Sequence, residues 1–205
     1  MNDFIEIYDD VMDEKWCKDI IEYGLNAIQT FKPFRHRGVQ DDKSMVVSPY
    51  IENSMPEKMY HYIHDILVHH YIKYSDKYWI LDKNMTRLWP TAIKFHYVKP
   101  NGGYHAWHCE NATYESSKRV LAYHISLNTC KDEGDLEFLY YKKKLFPKMG
   151  RMIMWPAGIT HVHRGNPMKT ENKYYITGWY EYATTNDPGV SLYKEQKRFL
   201  KDKEG

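Results

Sequence analysis

The chain is poor in cysteine. Its 205 residues hold three, Cys17, Cys109 and Cys130, with no C-x-x-C pair. That spacing supports neither a disulfide framework nor a zinc ribbon, and free thiols in a reducing compartment are expected. Charge of one sign is also missing: 29 Lys and Arg face 27 Asp and Glu, a formal net charge of +2. No dedicated nucleic-acid or membrane-surface role follows from that balance. Long apolar runs are absent, and nothing approaches the ~20 residues of a membrane-spanning helix. The opening MNDFIEIYDDVMDEKW is acidic and lacks the apolar centre of a signal peptide, so a cytoplasmic location is the expectation. Low-complexity segments and internal repeats are lacking as well, and the length suits one domain, 1–205.

Aromatic residues are what the chain has in plenty: 19 Tyr, 6 Trp and 7 Phe. Such residues favour strands and line pockets. A short strand is predicted at Phe4–Tyr8. Asp13 can cap a helix running to about Gln29, with Trp16, Ile20, Ala27 and Ile28 on its apolar side. Residues 31–45 (FKPFRHRGVQDDKSM) read as a long basic loop, and loops of this length often serve as lids. Ser54-x-x-Glu57 is a capping-box pattern opening a second helix through Tyr74. Its His61, His64, His69 and His70 read as surface and partly buried residues, not ligands.

From about residue 91 to 182 the texture changes to short strands separated by turn signals. Strands are predicted near 92–98, 104–110, 119–127, 135–140, 151–155, 160–164 and 173–182. Two helices followed by such a run make the class α+β with a β-rich core at about 91–182. Leu192–Gly205 reads as a short solvated helix or tail.

Chemistry concentrates in YHAWHCE, residues 104–110. His108 and Glu110 are two apart on a predicted strand, so their side chains share a face. WPAGITHVHRGNP then supplies His161 and His163. Two histidines and one carboxylate on one side of a metal form the ligand set of non-haem Fe(II) oxygenases.

Here the chain resembles the 2-oxoglutarate- and Fe(II)-dependent dioxygenases, within them the prolyl 4-hydroxylase-like group. That family's pattern is H-x-D, a distal His, then Lys or Arg about ten residues on. His163 to Lys173 keeps this spacing, and the following Tyr-Tyr-Ile-Thr-Gly-Trp179 is similar to the family's last core strand. Arg119-VLAYHISLN and Glu133-Gly-Asp-Leu-Glu-Phe138 are similar to its "R…YLN…EGGETxF". The resemblance spans about residues 13–182 and implies a double-stranded β-helix, or jelly roll, with supporting N-terminal helices. It implies Fe(II) on His108, Glu110 and His163, and 2-oxoglutarate as cosubstrate with its far carboxylate on Lys173 and a contact from Tyr97. There is room for ascorbate as an accessory.

The reaction implied is hydroxylation of a C–H bond with release of succinate and CO2. A prolyl residue in a protein or peptide is the best match, with Tyr104, Arg119 and Trp179 around it. Neither a membrane nor a nucleic-acid partner is implied, and the oligomeric state is open. Two departures stand out. Glu110 replaces the usual Asp, and Asp135-Leu136 replaces Gly-Thr, so the threonine hydroxyl that helps hold 2-oxoglutarate is missing. Two other readings compete. Gly150-x5-Pro156-x-Gly158-x2-His161 is similar to the second cupin motif, which would make His161 a ligand of a cupin-like metal enzyme. A jelly-roll binding module without catalysis is the other.

Overall fold

The computed structural model describes residues 2–30, 42–47, 55–83, 88–131 and 133–182, with 42–47 described by backbone. Asp13 caps the first helix as expected: its Oδ1 accepts from Trp16 N at 2.8 Å. That helix, α1, runs Glu14–Thr30 and buries Cys17, Ile20, Ala27 and Ile28. The spacing of these residues makes one apolar stripe. α2 (Glu57–Lys77) begins after Pro56 without a side-chain cap, and Ser54 of the expected capping box lies outside the described residues. A short α3 (Ile80–Lys83) follows. Two of the helical histidines are more buried than the sequence suggested: His64 and His70 both lie in the core.

The strands are β1 (Glu6–Tyr8), β2 (Asp42–Val47), β3 (Leu88–Pro90), β4 (Ile93–Val98), β5 (Arg119–Ser126), β6 (Leu136–Phe138), β7 (Lys143–Leu145), β8 (Met152–Pro156), β9 (His163–Gly165) and β10 (Lys173–Tyr182). Among the described residues a major sheet has the order β1-β8-β5-β10-β4-β2, with β3 also on β10. A minor sheet has the order β7-β6-β9. Every described pairing is antiparallel.

Three expectations are corrected. Residues 42–45 belong to strand β2 on β4 and not to a loop, while 31–41 lie outside the described residues. The segment 104–110 is no regular strand. His108 exchanges two backbone bonds with His163, but Glu110 N turns to Ala157 O at 2.9 Å, so the ladder touches its neighbours at separate points. Residues 159–161 form a 3-10 turn, so the predicted strand at 160–164 is confined to β9. The tail 192–205 lies outside the described residues.

The helices cover one face of the major sheet, where Ile63, Leu67, Phe95, Tyr123, Ile176 and Tyr180 form the larger core. Gly24 lets α1 approach β4 closely, because a side-chain carbon there would run into the Phe95 ring. Between the two sheets lies a smaller cluster of Phe138, Trp155, Trp179, Ala122 and Ile153. Strand alternation sends odd residues of β10 into that inter-sheet space.

Candidate metal centre

His108, Glu110 and His163 bring one ligand atom each to within 4.8 Å of one another. His163 Nε2 lies 3.1 Å from Glu110 Oε1, and His108 Nε2 lies 3.6 Å from the same oxygen. The other ring nitrogens are committed. His108 Nδ1 donates to Ala106 O at 2.9 Å, and His163 Nδ1 donates to His161 O at 2.9 Å. A carbonyl only accepts, so both Nδ1 atoms carry hydrogen and both Nε2 atoms are left to the centre. Outer hydrogen bonds of this kind fix ligand orientation in metal sites.

Burial works to raise the Glu110 carboxyl, but hydrogen bonds and charge from His108 and His163 outweigh it and hold the group well below the usual carboxylate range. The carboxylate is therefore ionised. An anion facing two nitrogens whose outer partners are already satisfied calls for positive charge between them, and a divalent cation meets all three donors at once. The residues fit a metal.

The extra methylene of Glu110 is accommodated by an anchor on its far oxygen, where Trp179 Nε1 donates to Oε2 at 2.7 Å. Arg119 Nη1 donates to Glu110 O at 3.0 Å, and its guanidinium stacks 3.4 Å from the Trp179 ring centre. Both residues thus hold the carboxylate in place. Tyr104 packs on His108 with ring centroids 4.1 Å apart.

His161 is turned elsewhere. Its Nε2 donates to Asp3 O at 2.8 Å and its Nδ1 accepts from Thr160 Oγ1 at 2.9 Å. Both ring nitrogens are taken, which removes the basis of the cupin-like ligand set. Burial also lowers its pKa.

Lys173 points into the space between the sheets and is 5% exposed. Its Nζ donates to Gly134 O at 2.8 Å, where Gly134 holds a φ of 76° suited to glycine. The ammonium also lies 3.9 Å from where a Gly165 Cβ would stand. Gly165 is two residues beyond His163 on β9, hence on the same face and roughly 7 Å along the strand. The metal donors and this ammonium thus lie at two ends of one face of β9. Leu136 pairs with Gly165 across β6, so the missing threonine hydroxyl is missing at this end.

Tyr97 does not meet its expectation. It lies opposite Tyr174 and stacks on it at 5.3 Å and 10°, among residues packed against the helix-side core. Alternation puts His96 on Lys173's side instead. There His96, Tyr175 and His124 form a continuous ring stack, with centroids 4.4 Å apart at each step. His124 Nε2 lies 3.2 Å from Ser126 Oγ. Burial first, then Lys173, His96 and His163 nearby, push His124 well below the ordinary imidazole range. The sequence reading missed this wall. The alternation of His124 and Ser126 was visible, but not which face they shared.

Residues 93–181 match the family described as the 2OG-Fe(II) oxygenase superfamily. This segment is a 2OG-Fe(II) oxygenase domain. The oxygenase is similar in fold to the viral collagen prolyl hydroxylase of Paramecium Bursaria Chlorella virus-1 (TM-score 0.65, 15% identity, 88% of this chain and 97% of that one). It is also similar to a prolyl-4-hydroxylase of Pseudomonas putida (TM-score 0.69, 13% identity, 89% and 95%). A third likeness is a prolyl hydroxylase of Trichoplax adhaerens in complex with a hypoxia inducible factor peptide fragment (TM-score 0.70, 16% identity, 88% and 84%). No curated protein matches the sequence significantly. The likenesses establish the double-stranded β-helix, and the family match makes this an oxygenase-type enzyme that works with Fe(II) and 2-oxoglutarate. Among the described residues no helix is long and apolar enough to cross a membrane.

Proposed function

We propose that the oxygenase hydroxylates a C–H bond of a prolyl residue in a protein or peptide, the whole chain 1–205 serving as one domain. The observation that carries this reading is the convergence of His108 Nε2, His163 Nε2 and Glu110 Oε1, with each imidazole Nδ1 held by a backbone carbonyl. His108, Glu110 and His163 would hold Fe(II). When bound, iron and 2-oxoglutarate supply the oxidising chemistry: dioxygen is consumed, 2-oxoglutarate leaves as succinate and CO2, and one oxygen atom enters the substrate as hydroxyl.

The chain's own part is placement. Lys173, buried with its ammonium beside Gly134 O on the His163 face of β9, would pair with the far carboxylate of 2-oxoglutarate. The ring stack of His96, Tyr175 and His124 would wall that end. Trp179 keeps Glu110 Oε2 occupied while Arg119 holds the Glu110 carbonyl, which leaves Oε1 for the metal. Tyr104, Arg119 and Trp179 would also border the substrate proline, where aromatic faces suit a flat apolar ring. The prolyl hydroxylase names of the structural relatives, and the peptide bound to one of them, support a peptide substrate.

Succinate formation from 2-oxoglutarate with Fe(II), with and without proline peptides, tests the reading. Peptide-stimulated succinate and a hydroxyproline mass gain of one oxygen are expected. His108→Ala, Glu110→Ala and His163→Ala should each abolish turnover while the circular dichroism stays unchanged. Stimulation by other acceptors, but by no proline peptide, would overturn the substrate class and leave the oxygenase.

A further inference from the structure

Residues 2–6, which lead into the first residue of β1, touch three separate parts of the molecule. Phe4 O accepts from Tyr74 of α2 at 2.8 Å. Tyr78 Oη lies 2.6 Å from Glu6 Oε1, to which its one hydrogen is donated, and 2.9 Å from Asn2 Oδ1, and Lys77 Nζ reaches Glu6 at 2.8 Å. Asp3 Oδ2 accepts from Lys143 of β7 at 2.9 Å. Asp3 O accepts from His161. Phe4 holds a φ of 55°, a region that bulky residues seldom occupy. Its two neighbouring carbonyls thereby serve two different elements.

His161 is the point where this segment meets the metal centre. Its ring is gripped at both nitrogens and flanked by Tyr141 at 5.0 Å and Phe138 at 6.5 Å. His161 N closes the 3-10 turn on Gly158 O at 2.9 Å. The carbonyl of the same residue accepts the Nδ1 hydrogen of His163. Fixing the His161 ring therefore fixes the carbonyl that orients the His163 ring.

We propose that residues 2–6 form a strap that positions the metal ligand His163 through His161. His161 is then a positioning residue: it touches neither metal nor substrate, and its influence passes along its own backbone to His163. The proposal rests on His163 being a ligand. Loss of an orienting partner of a ligand histidine typically weakens metal affinity about 10–100-fold.

The test measures Mn(II) dissociation constants from the EPR signal of the free ion, without 2-oxoglutarate. His163→Ala addresses the ligand assignment itself; binding retained there would remove the metal reading, independently of the strap. His161→Leu should weaken Mn(II) binding about 10–100-fold, and His161→Gln, whose amide can donate to Asp3 O, should restore it to within about threefold. Undiminished affinity in His161→Leu overturns the proposal. So does a folded His161→Gln as weak as the leucine variant, because a packing role alone predicts no rescue by an amide. Should His161→Leu not fold, the unsubstituted protein decides. Slow solvent exchange of the His161 Nε2 and His163 Nδ1 hydrogens, seen by nitrogen-15 NMR with Zn(II) bound, is the expected result. Rapid exchange at His161 rejects the strap.

Discussion

At the scale of single residues, the centre is a set of assigned protons. Ala106 O and His161 O dictate which nitrogen of His108 and of His163 carries hydrogen, and Trp179 dictates which oxygen of Glu110 is free. Lys173 and Leu136 stand at the other end, where the far carboxylate of 2-oxoglutarate is expected. A hydrogen bond to a charged group contributes about 1.5–3 kcal/mol, so Lys173→Met should weaken 2-oxoglutarate binding about 10–150-fold. Leu136→Thr offers a hydroxyl beside Gly165 and should tighten binding up to about tenfold. Titration of the Mn(II)-loaded protein with 2-oxoglutarate measures both. Unchanged affinity in Lys173→Met would dismiss the proposed pairing. The residue scale was partly legible in the sequence. H-x-E, a distal histidine and a lysine ten residues on could be read from spacing and resemblance, but the protons could not, because the carbonyls that set them come from non-regular backbone.

At the scale of elements, α2 carries a pH dependence of its own. His64 and His70 are buried, and loss of hydration lowers each imidazole to about 4. His70 Nδ1 is satisfied by Ile66 O at 2.8 Å, whereas His64 Nε2 finds no partner among the described residues and packs on Trp89 at 4.6 Å. In the unfolded chain both would titrate near 6.5. Between these values the unfolded state binds more protons, so stability is whole above about pH 6.5 and falls as pH drops toward 4. The loss is of the order of 3 kcal/mol per histidine. Urea unfolding of the protein and of His64→Phe between pH 4.5 and 7.5 measures it, and the variant should show the shallower slope. Parallel slopes would place the acid sensitivity elsewhere. The helix itself was readable from its apolar period. The burial of its histidines was not, since that depends on α2 lying flat on the major sheet.

For the whole molecule, the groups of the candidate centre come from regions far apart in the chain: His108 and Glu110 from an irregular crossing segment, His163 from the minor sheet, Lys173 from the major one. Anything that binds this assembly and not the unfolded chain stabilises it by mass action. Mn(II) at 100 times its dissociation constant should add about 2.7 kcal/mol, raising the unfolding midpoint roughly 5–10 °C for a chain of this size. Thermal scans with and without Mn(II) read this directly, and His163→Ala should abolish the shift. A shift that survives in His163→Ala would put the metal at another place.

The two helices, most of the strands, the resemblance to the oxygenases and the candidates His108, Glu110, His163 and Lys173 were legible in the sequence alone, because each of these is a local period or a fixed spacing. Side-chain alternation is also local, but its sense is not: a strand's faces are assigned by its partners, and a slip of one residue exchanges them. That is why Tyr97 was expected at the cosubstrate and lies instead against Tyr174, while His96, Tyr175 and His124 line the wall. It is also why parity could not separate 161 from 163: the spacing to Lys173 favoured His163, and the 3-10 turn then points one ring at Asp3 and the other at Glu110. The strand at 42–47 was hidden for a related reason: its polar beginning is loop-like alone, and only pairing with β4 across some fifty residues makes it a strand. Long-range hydrogen bonds carry no signature in the segment that makes them, so tertiary structure alone could decide what each of these residues faces.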